Sequence, residues 1–129
     1  MPTEYMGVYG SNLNITGDGM FGLNSNIRMA SFTDGTSNTL AIGERGIPND
    51  LFWGWGLCGN GAQDAFLGFE NGFKPGTDAA HLLHFWSHHT GGAHFLMVDG
   101  SVKFFSYSTD LNTMIKLATR SGGEVSGDF

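Results

Sequence analysis

Histidines are the residues whose number and spacing first suggest chemistry in this chain. Five of them lie between positions 81 and 94, at His81, His84, His88, His89 and His94. Imidazole nitrogens bind transition metals, and His84 and His88 would share one face of a helix because they are four positions apart. Phe85 stands where the zincin pattern requires glutamate, and the chain has one cysteine, Cys58. A metal site that includes His84, His88 and His89 is therefore one interpretation. The alternative is that His89 is a buried or half-buried ring that bonds the backbone.

Carboxylates among glycine and hydroxyl residues offer a second kind of metal site. Asp18, Asp34 and Asp99 are such residues, and calcium prefers carboxylate and backbone oxygens. None shows the regular spacing of an EF-hand. Calcium at Asp34 and Asp99 stays an alternative, while Asp99-Gly100 has a sufficient structural role as a turn between two strands, in which Gly100 supplies a positive φ.

The segment from Asp34 to Thr39, Asp-Gly-Thr-Ser-Asn-Thr, favours a tight turn. Hydrogen bonds from side chains such as those of Ser37 and Asn38 to the backbone would hold it. It lacks the Gly-Lys-Ser/Thr of a phosphate loop, and no serine lies in a nucleophile elbow. The best catalytic arrangement would be an acid–base pair of His89 and Asp99. We expect a non-enzymatic protein, since no nucleophile, base and orienting group can be assembled.

Composition limits the fold that must position these residues. The chain has 129 residues, a net charge of −6, 21 glycines, 13% aromatic and only 14% charged residues. The negative charge argues against nucleic acid as a partner, and no apolar run approaches the ~20 residues of a membrane helix. We predict one α+β domain over residues 1–129, built on a mainly antiparallel sheet with long glycine-rich loops and a C-terminal helix.

Alternating residues place strands in the N-terminal part of this domain. The pattern predicts strands over 4–9, 39–45 and 52–56, and loops over 10–26 and 59–76. Residues 78–86 fit a short helix that begins at Asp78 or a strand about equally well. The aromatic residues are expected mostly in the core. A glycan platform is the alternative for seven of them, namely Trp53, Trp55, Phe66, Phe69, Phe73, Phe85 and Trp86.

The C-terminal third carries the strongest local patterns. Two β-prone runs, 93–98 and 101–106, flank Asp99-Gly100 and predict a hairpin. Asp110 then predicts a helix N-cap, and a Gly-Gly pair at 122–123 predicts the end of that helix. The helix has one apolar stripe, consisting of Leu111, Met114, Ile115 and Ala118.

Four segments together resemble a large family of prepilin-like proteins that is abundant in planctomycete bacteria. His89 is followed, after nine residues, by Asp99-Gly100, which resembles the family's histidine-to-aspartate-glycine signature. The other matching residues are the turn Asp34, Gly35, Ser37 and Asn38 with Glu44 and Arg45, the histidine loop that ends in Gly91 and Gly92, and the segment 117–125.

The resemblance implies a pilin-like globular head at the cell surface or outside the cell. Such heads are carried on an N-terminal methylation helix, as in type IV pilins and type II secretion pseudopilins, and we expect this chain to be the head without that helix. Its expected partners are copies of itself in a filament or other pilin-like subunits, with no nucleic acid and no membrane contact by this fragment. The alternative is a surface module that binds a metal ion or glycan. Asn14 fits a glycosylation sequon.

Overall fold

The fold is α+β, as predicted. A computed structural model describes residues 4–12, 18–22, 26–46, 66–77 and 83–121. Within these residues lie five strands, two 3₁₀ turns and one α-helix. The strands are β1 (Tyr5–Val8), β2 (Leu40–Glu44), β3 (Phe66–Leu67), β4 (Gly92–Met97) and β5 (Val102–Ser106), the 3₁₀ turns are Met29–Ser31 and Thr36–Asn38, and the helix is α1 (Leu111–Ala118).

The strands form one sheet in the order β3-β1-β2-β4-β5. β2 lies at its centre and pairs antiparallel with both β1 and β4. β4 and β5 are also antiparallel, whereas β3 runs parallel to β1. The predicted strands over 4–9 and 39–45 are confirmed by β1 and β2. The predicted strand over 52–56 lies outside the described residues, as do Asn14 and His81.

The predicted hairpin is confirmed as β4 and β5, but its turn is one residue longer than an Asp-Gly pair. The Met97 N–H donates to the Ser101 carbonyl (2.8 Å), and the Gly100 N–H donates to the Met97 carbonyl (3.0 Å). Gly100 has φ +91°. This geometry is typical of a three-residue hairpin loop, in which a turn is followed by a left-handed residue. The positive φ that the sequence assigns to Gly100 is therefore present.

The core lies on one face of the sheet. Ala93, Phe95 and Met97 alternate along β4 and are buried there, as the two-residue period of a strand requires. The Phe95 ring is 5.3 Å from that of Phe85 and 5.6 Å from that of Phe73, centroid to centroid. The prediction that the aromatic residues are mostly core is confirmed for these three rings. Burial removes Phe73 and Phe85 from the candidate glycan platform, and Trp53 and Trp55 lie outside the described residues.

Helix α1 adds Met114, Leu117 and Ala118 to this core. Leu111, predicted as part of the buried stripe, is partly exposed, and Leu117 is buried instead. Asp110 occupies the N-cap position, but its side chain makes no capping hydrogen bond.

The predicted end of α1 at the Gly-Gly pair is wrong, because the helix ends at Ala118. Thr119 is extended (φ −96°, ψ 143°). The next residue, Arg120, donates its N–H to the Asp18 carbonyl (2.9 Å). A tertiary hydrogen bond thus takes a backbone group that a longer helix would use.

Two predictions in the middle of the chain also need correction. The predicted loop over 59–76 contains strand β3, which pairs with β1, and Phe73, which bridges to Phe85. Residues 83–86 contain no helix. Instead, Phe85 forms an isolated β-bridge with Phe73, and Trp86 forms one with Arg45. His84 and His88 therefore do not share a helical face.

Candidate functional site

The antiparallel β2–β4 pair gathers the predicted motif residues at its two ends. The start of β2 lies beside the end of β4, so the turn before Leu40 meets the turn after Met97. We call this end the turn pole. The end of β2 lies beside the start of β4, so Glu44 meets the histidine loop, residues 87–92. We call this end the histidine pole.

The turn pole is held by backbone hydrogen bonds between the two predicted turns. The Asp99 N–H donates to the Thr36 carbonyl (3.0 Å), and the Val98 N–H donates to the Thr39 carbonyl (2.9 Å). These bonds close the sheet beyond the last paired residues of β2 and β4. A structural role therefore accounts for the presence of both motifs at this pole.

Side chains reinforce the first of these turns as the sequence predicts. The Asn38 Nδ2 donates to the Asp34 carbonyl (3.0 Å), and the Thr39 hydroxyl donates to the Gly35 carbonyl (3.1 Å). Gly35 has φ +95°, a conformation that favours glycine. Ser37, which was expected to contribute a bond, is exposed.

Asp99 stabilises its own turn. Its Oδ1 accepts hydrogen bonds from the Ser101 hydroxyl (2.6 Å) and from the Ser101 N–H (2.9 Å). These bonds, that from the hydroxyl first, hold the pKa of the Asp99 carboxyl below its ordinary value because they favour the charged form.

Glu44 and two histidines meet at the histidine pole. Glu44 Oε1 lies 3.3 Å from His89 Nε2, and Glu44 Oε2 lies 3.4 Å from His94 Nδ1. The His94 N–H also donates to Oε2 (2.6 Å). One ligand atom from each of the three residues lies within 4.8 Å of the others, and this is the group of metal-ligating side chains found in the described ranges.

The histidine loop is built to hold His89 in this place. The Ser87 hydroxyl accepts the His89 N–H (3.0 Å) and donates to the Gly92 carbonyl (2.5 Å). The Tyr107 hydroxyl accepts the Ser87 N–H (3.1 Å), and Gly91 turns the chain into β4 with φ +86°. The position of His89 therefore depends on contacts with β4 and with the residue after β5.

Of the predicted metal-binding residues, the structure brings only His89 into this group. His84 is buried, with Nδ1 3.1 Å from the Phe85 carbonyl oxygen. His88 is exposed and its ring packs against Trp86. Asp34 and Asp99 belong to the turn pole, where no such group forms among the described residues.

The prediction of a buried or half-buried His89 ring that bonds the backbone is wrong for full burial, since the side chain is 57% exposed, and its Nε2 faces a carboxylate. His84 has instead the buried, backbone-bonded ring that was expected for His89. His89 and Asp99 lie beyond opposite ends of β4. A strand of that length separates them by roughly 20 Å. The two side chains are therefore too far apart to act as the acid–base pair considered from the sequence.

Glu44 was predicted as a motif residue and His94 as one of five histidines, but neither was predicted as a ligand. The two lie 50 positions apart, so no local pattern joins them. The alternation along β4 does predict where the His94 side chain lies. Because Ala93 and Phe95 face the core, His94 between them must point to the outer face of the sheet.

That outer face carries exposed apolar side chains on β1 and β5. Val102 and Phe104 of β5 are 64% and 48% exposed, and their register partners on β4 are Leu96 and His94. Tyr5, the partner of Glu44 on β1, is also exposed. We call the surface formed by Tyr5, Val102 and Phe104 and by their register partners Glu44, Leu96 and His94 the outer face.

Comparison with known proteins identifies the family. A family model described as "Protein of unknown function (DUF1559)" matches residues 1–112. The chain belongs to the DUF1559 family. The match extends over the described strands of this DUF1559 domain and both poles of its β2–β4 pair. No curated protein and no solved structure matches it. Its described residues include no helix with the length and apolar character needed to cross a bilayer.

Proposed function

We propose that this DUF1559 domain is the structural, non-enzymatic head of a secreted or surface-displayed prepilin-like protein. It works by self-assembly, or by docking with other pilin-like subunits, in an extracellular filament or a type II secretion-like apparatus. The observation that carries the proposal is strand β5, an edge strand of the sheet that the described residues form, which presents exposed apolar side chains beside that edge.

An edge strand of this kind favours association. Among the described residues no strand pairs with the outer side of β5. The N–H and C=O groups of an edge strand can pair with a further strand, and soluble monomers usually protect such edges with charges or proline. β5 has one charged residue, Lys103, between Val102 and Phe104. Their exposed surfaces add apolar area on the outer face next to that edge, so a docking subunit would gain both backbone hydrogen bonds and apolar burial.

The turn pole supports the non-enzymatic part of the proposal. Asp34, Asn38, Thr39 and Asp99 take part in backbone or local hydrogen bonds of the two turns. The signature aspartate thus has a structural role in closing the sheet, which a rigid subunit of an assembly requires.

Sedimentation velocity over a range of protein concentrations tests the proposal. The native chain should self-associate as its concentration rises, and Val102→Lys should weaken that association at least tenfold because it places a second charge on the edge strand. Met29→Lys is the matched control. Met29 is 63% exposed but belongs to a 3₁₀ turn and not to the sheet, so its substitution should leave association unchanged.

Circular dichroism should show the same fold for both variants. A native chain that stays monomeric at millimolar concentration, alone and with other pilin-like subunits, contradicts the proposal. Equal weakening by Val102→Lys and Met29→Lys would contradict the role of β5.

A further inference from the structure

We propose that Glu44, His89 and His94 form a binding site for a divalent transition-metal ion of the zinc class. The site lies at the histidine pole and does not depend on the assembly proposed above. It differs from the set expected from the sequence, since it uses one of the predicted histidines and adds a carboxylate from β2 and a histidine from β4.

The separations between the side chains suit a tetrahedral ion. Zinc binds imidazole nitrogen and carboxylate oxygen at about 2.0–2.2 Å, which places two ligands of one ion about 3.4 Å apart. Glu44 Oε1 lies 3.3 Å from His89 Nε2, and Glu44 Oε2 lies 3.4 Å from His94 Nδ1, so each carboxylate oxygen is at about that distance from one imidazole. All three ligand atoms lie within 4.8 Å of each other, so a small rotation of the exposed imidazole rings brings them around one centre.

Neighbouring groups hold the ligands in place before an ion binds. The Glu44 side chain is only 10% exposed, and its Oε2 accepts the backbone N–H of His94. The His89 backbone is held by the Ser87 hydroxyl. Such supporting hydrogen bonds orient metal ligands and reduce the entropy lost on binding. A cation would also neutralise a carboxylate that is mostly removed from water.

The ligand types select the metal. Two imidazole nitrogens and one carboxylate oxygen suit zinc and its neighbours, whereas calcium and magnesium prefer oxygen alone. The imidazoles are 57% and 44% exposed, so the fourth position of a tetrahedral ion would face solvent and hold water. The nitrogen ligands distinguish this site from the calcium site considered at Asp34 and Asp99, which would use oxygen ligands.

Isothermal titration calorimetry with zinc chloride, on protein first stripped with a chelator, tests the site. The native chain should bind one zinc ion per chain, and calcium chloride should give no binding. His89→Ala should weaken zinc binding at least tenfold, since even groups that only support ligands contribute about 10–100-fold. His88→Ala is the matched control, because His88 is an exposed histidine at the adjacent position that lies outside the group.

A second measurement identifies the ligands directly. In NMR spectra of the imidazole groups, zinc should shift the signals of His89 and His94 and leave that of buried His84 in place. Glu44→Gln, which keeps an oxygen for the His94 N–H, should weaken binding while thermal melts of the metal-free protein show a folded chain.

Absence of zinc binding to the native chain would overturn the site, leaving only polar contacts between Glu44 and the two histidines. Equal affinities of the native chain and His89→Ala would also overturn it, because the ion would then bind elsewhere. Titrations at concentrations where the native chain is monomeric keep this result separate from the test of assembly.

Discussion

Glu44 connects three segments of the chain through one residue. Its carbonyl accepts the Trp86 N–H (3.0 Å), its carboxylate accepts the His94 N–H, and the same carboxylate faces His89. A buried carboxylate without such partners would be costly. The His94 N–H and the two imidazoles around this carboxylate explain why a glutamate can end the central strand of the sheet.

Residues differ in how far the sequence could predict their roles. Asp99 and Gly100 were predicted correctly because the partners of a turn lie two or three positions away. The contacts of Glu44 could not be predicted, since they depend on the register of β2 against β4. His89 was placed in the wrong environment for the same reason. Its exposure is set by the direction in which the loop enters β4.

Asp99 provides a test at the scale of one residue. Ser101→Ala removes the hydroxyl that most lowers the Asp99 pKa, so this pKa should rise toward the ordinary value of 3.8. A carboxyl with a lowered pKa in the folded state stabilises the fold above its unfolded pKa, and that contribution is lost as pH falls through the folded pKa.

The native chain should therefore exceed Ser101→Ala in stability at neutral pH, and the difference should fade below pH 3.8. Carboxyl NMR titration gives the pKa, and urea unfolding at several pH values gives the stability. An unchanged Asp99 pKa in the variant would show that the hydroxyl has no effect.

Elements whose signals are local were predicted well. The β4–β5 hairpin needs only two alternating runs and a turn, and α1 needs an apolar stripe. Strand β3 was missed because it has two residues and depends on β1, roughly sixty positions away. The end of α1 was misplaced because it depends on a hydrogen bond from the Arg120 N–H to the Asp18 carbonyl. The position of the Gly-Gly pair in the sequence gives no information about such a long-range bond.

Two glycines of the hairpin should respond differently to alanine. A Cβ at Gly92 would lie 2.0 Å from the Phe105 carbonyl oxygen, whereas a Cβ at Gly100 meets nothing within 4 Å. Gly92→Ala must push β4 from β5 and should cost about 2–3 kcal/mol. Gly100→Ala suffers only from its positive φ and should cost about 1–2 kcal/mol.

Urea unfolding of the two glycine variants measures both costs. A larger loss for Gly100→Ala than for Gly92→Ala would mean that β4 and β5 are not packed as closely as the structure has them.

At the scale of the whole molecule, the segment after α1 joins distant parts of the fold. The Arg120 guanidinium donates to the Gly19 carbonyl (2.6 Å). The backbone carbonyl of Arg120 accepts the Asp34 N–H, and the backbone N–H of Arg120 donates to the Asp18 carbonyl. One residue near the end of the described chain therefore ties an N-terminal loop to the turn pole.

Arg120→Ala should lower the free energy of unfolding by about 2 kcal/mol, since a hydrogen bond from a charged group is lost. Lys116→Ala is the control. Lys116 is an exposed basic residue of α1, and its replacement should change stability by no more than about 0.5 kcal/mol. Equal effects of the two substitutions in urea unfolding would contradict the joining role of Arg120.

The position of β2 in the sheet also governs the order in which the chain can fold. During translation β1 and β2 are synthesised before the other described strands. About fifty more residues must be synthesised before β4, the second strand that pairs with β2, is available. Among the described strands, β4 and β5 are the pair joined by a short turn, and they are synthesised after the other described strands. Folding is thus expected to begin at the β4–β5 hairpin, and the other described strands pair with it afterwards. A nascent chain stopped before β4 would expose the apolar residues of β1 and β2 and would need a chaperone to keep it from aggregating.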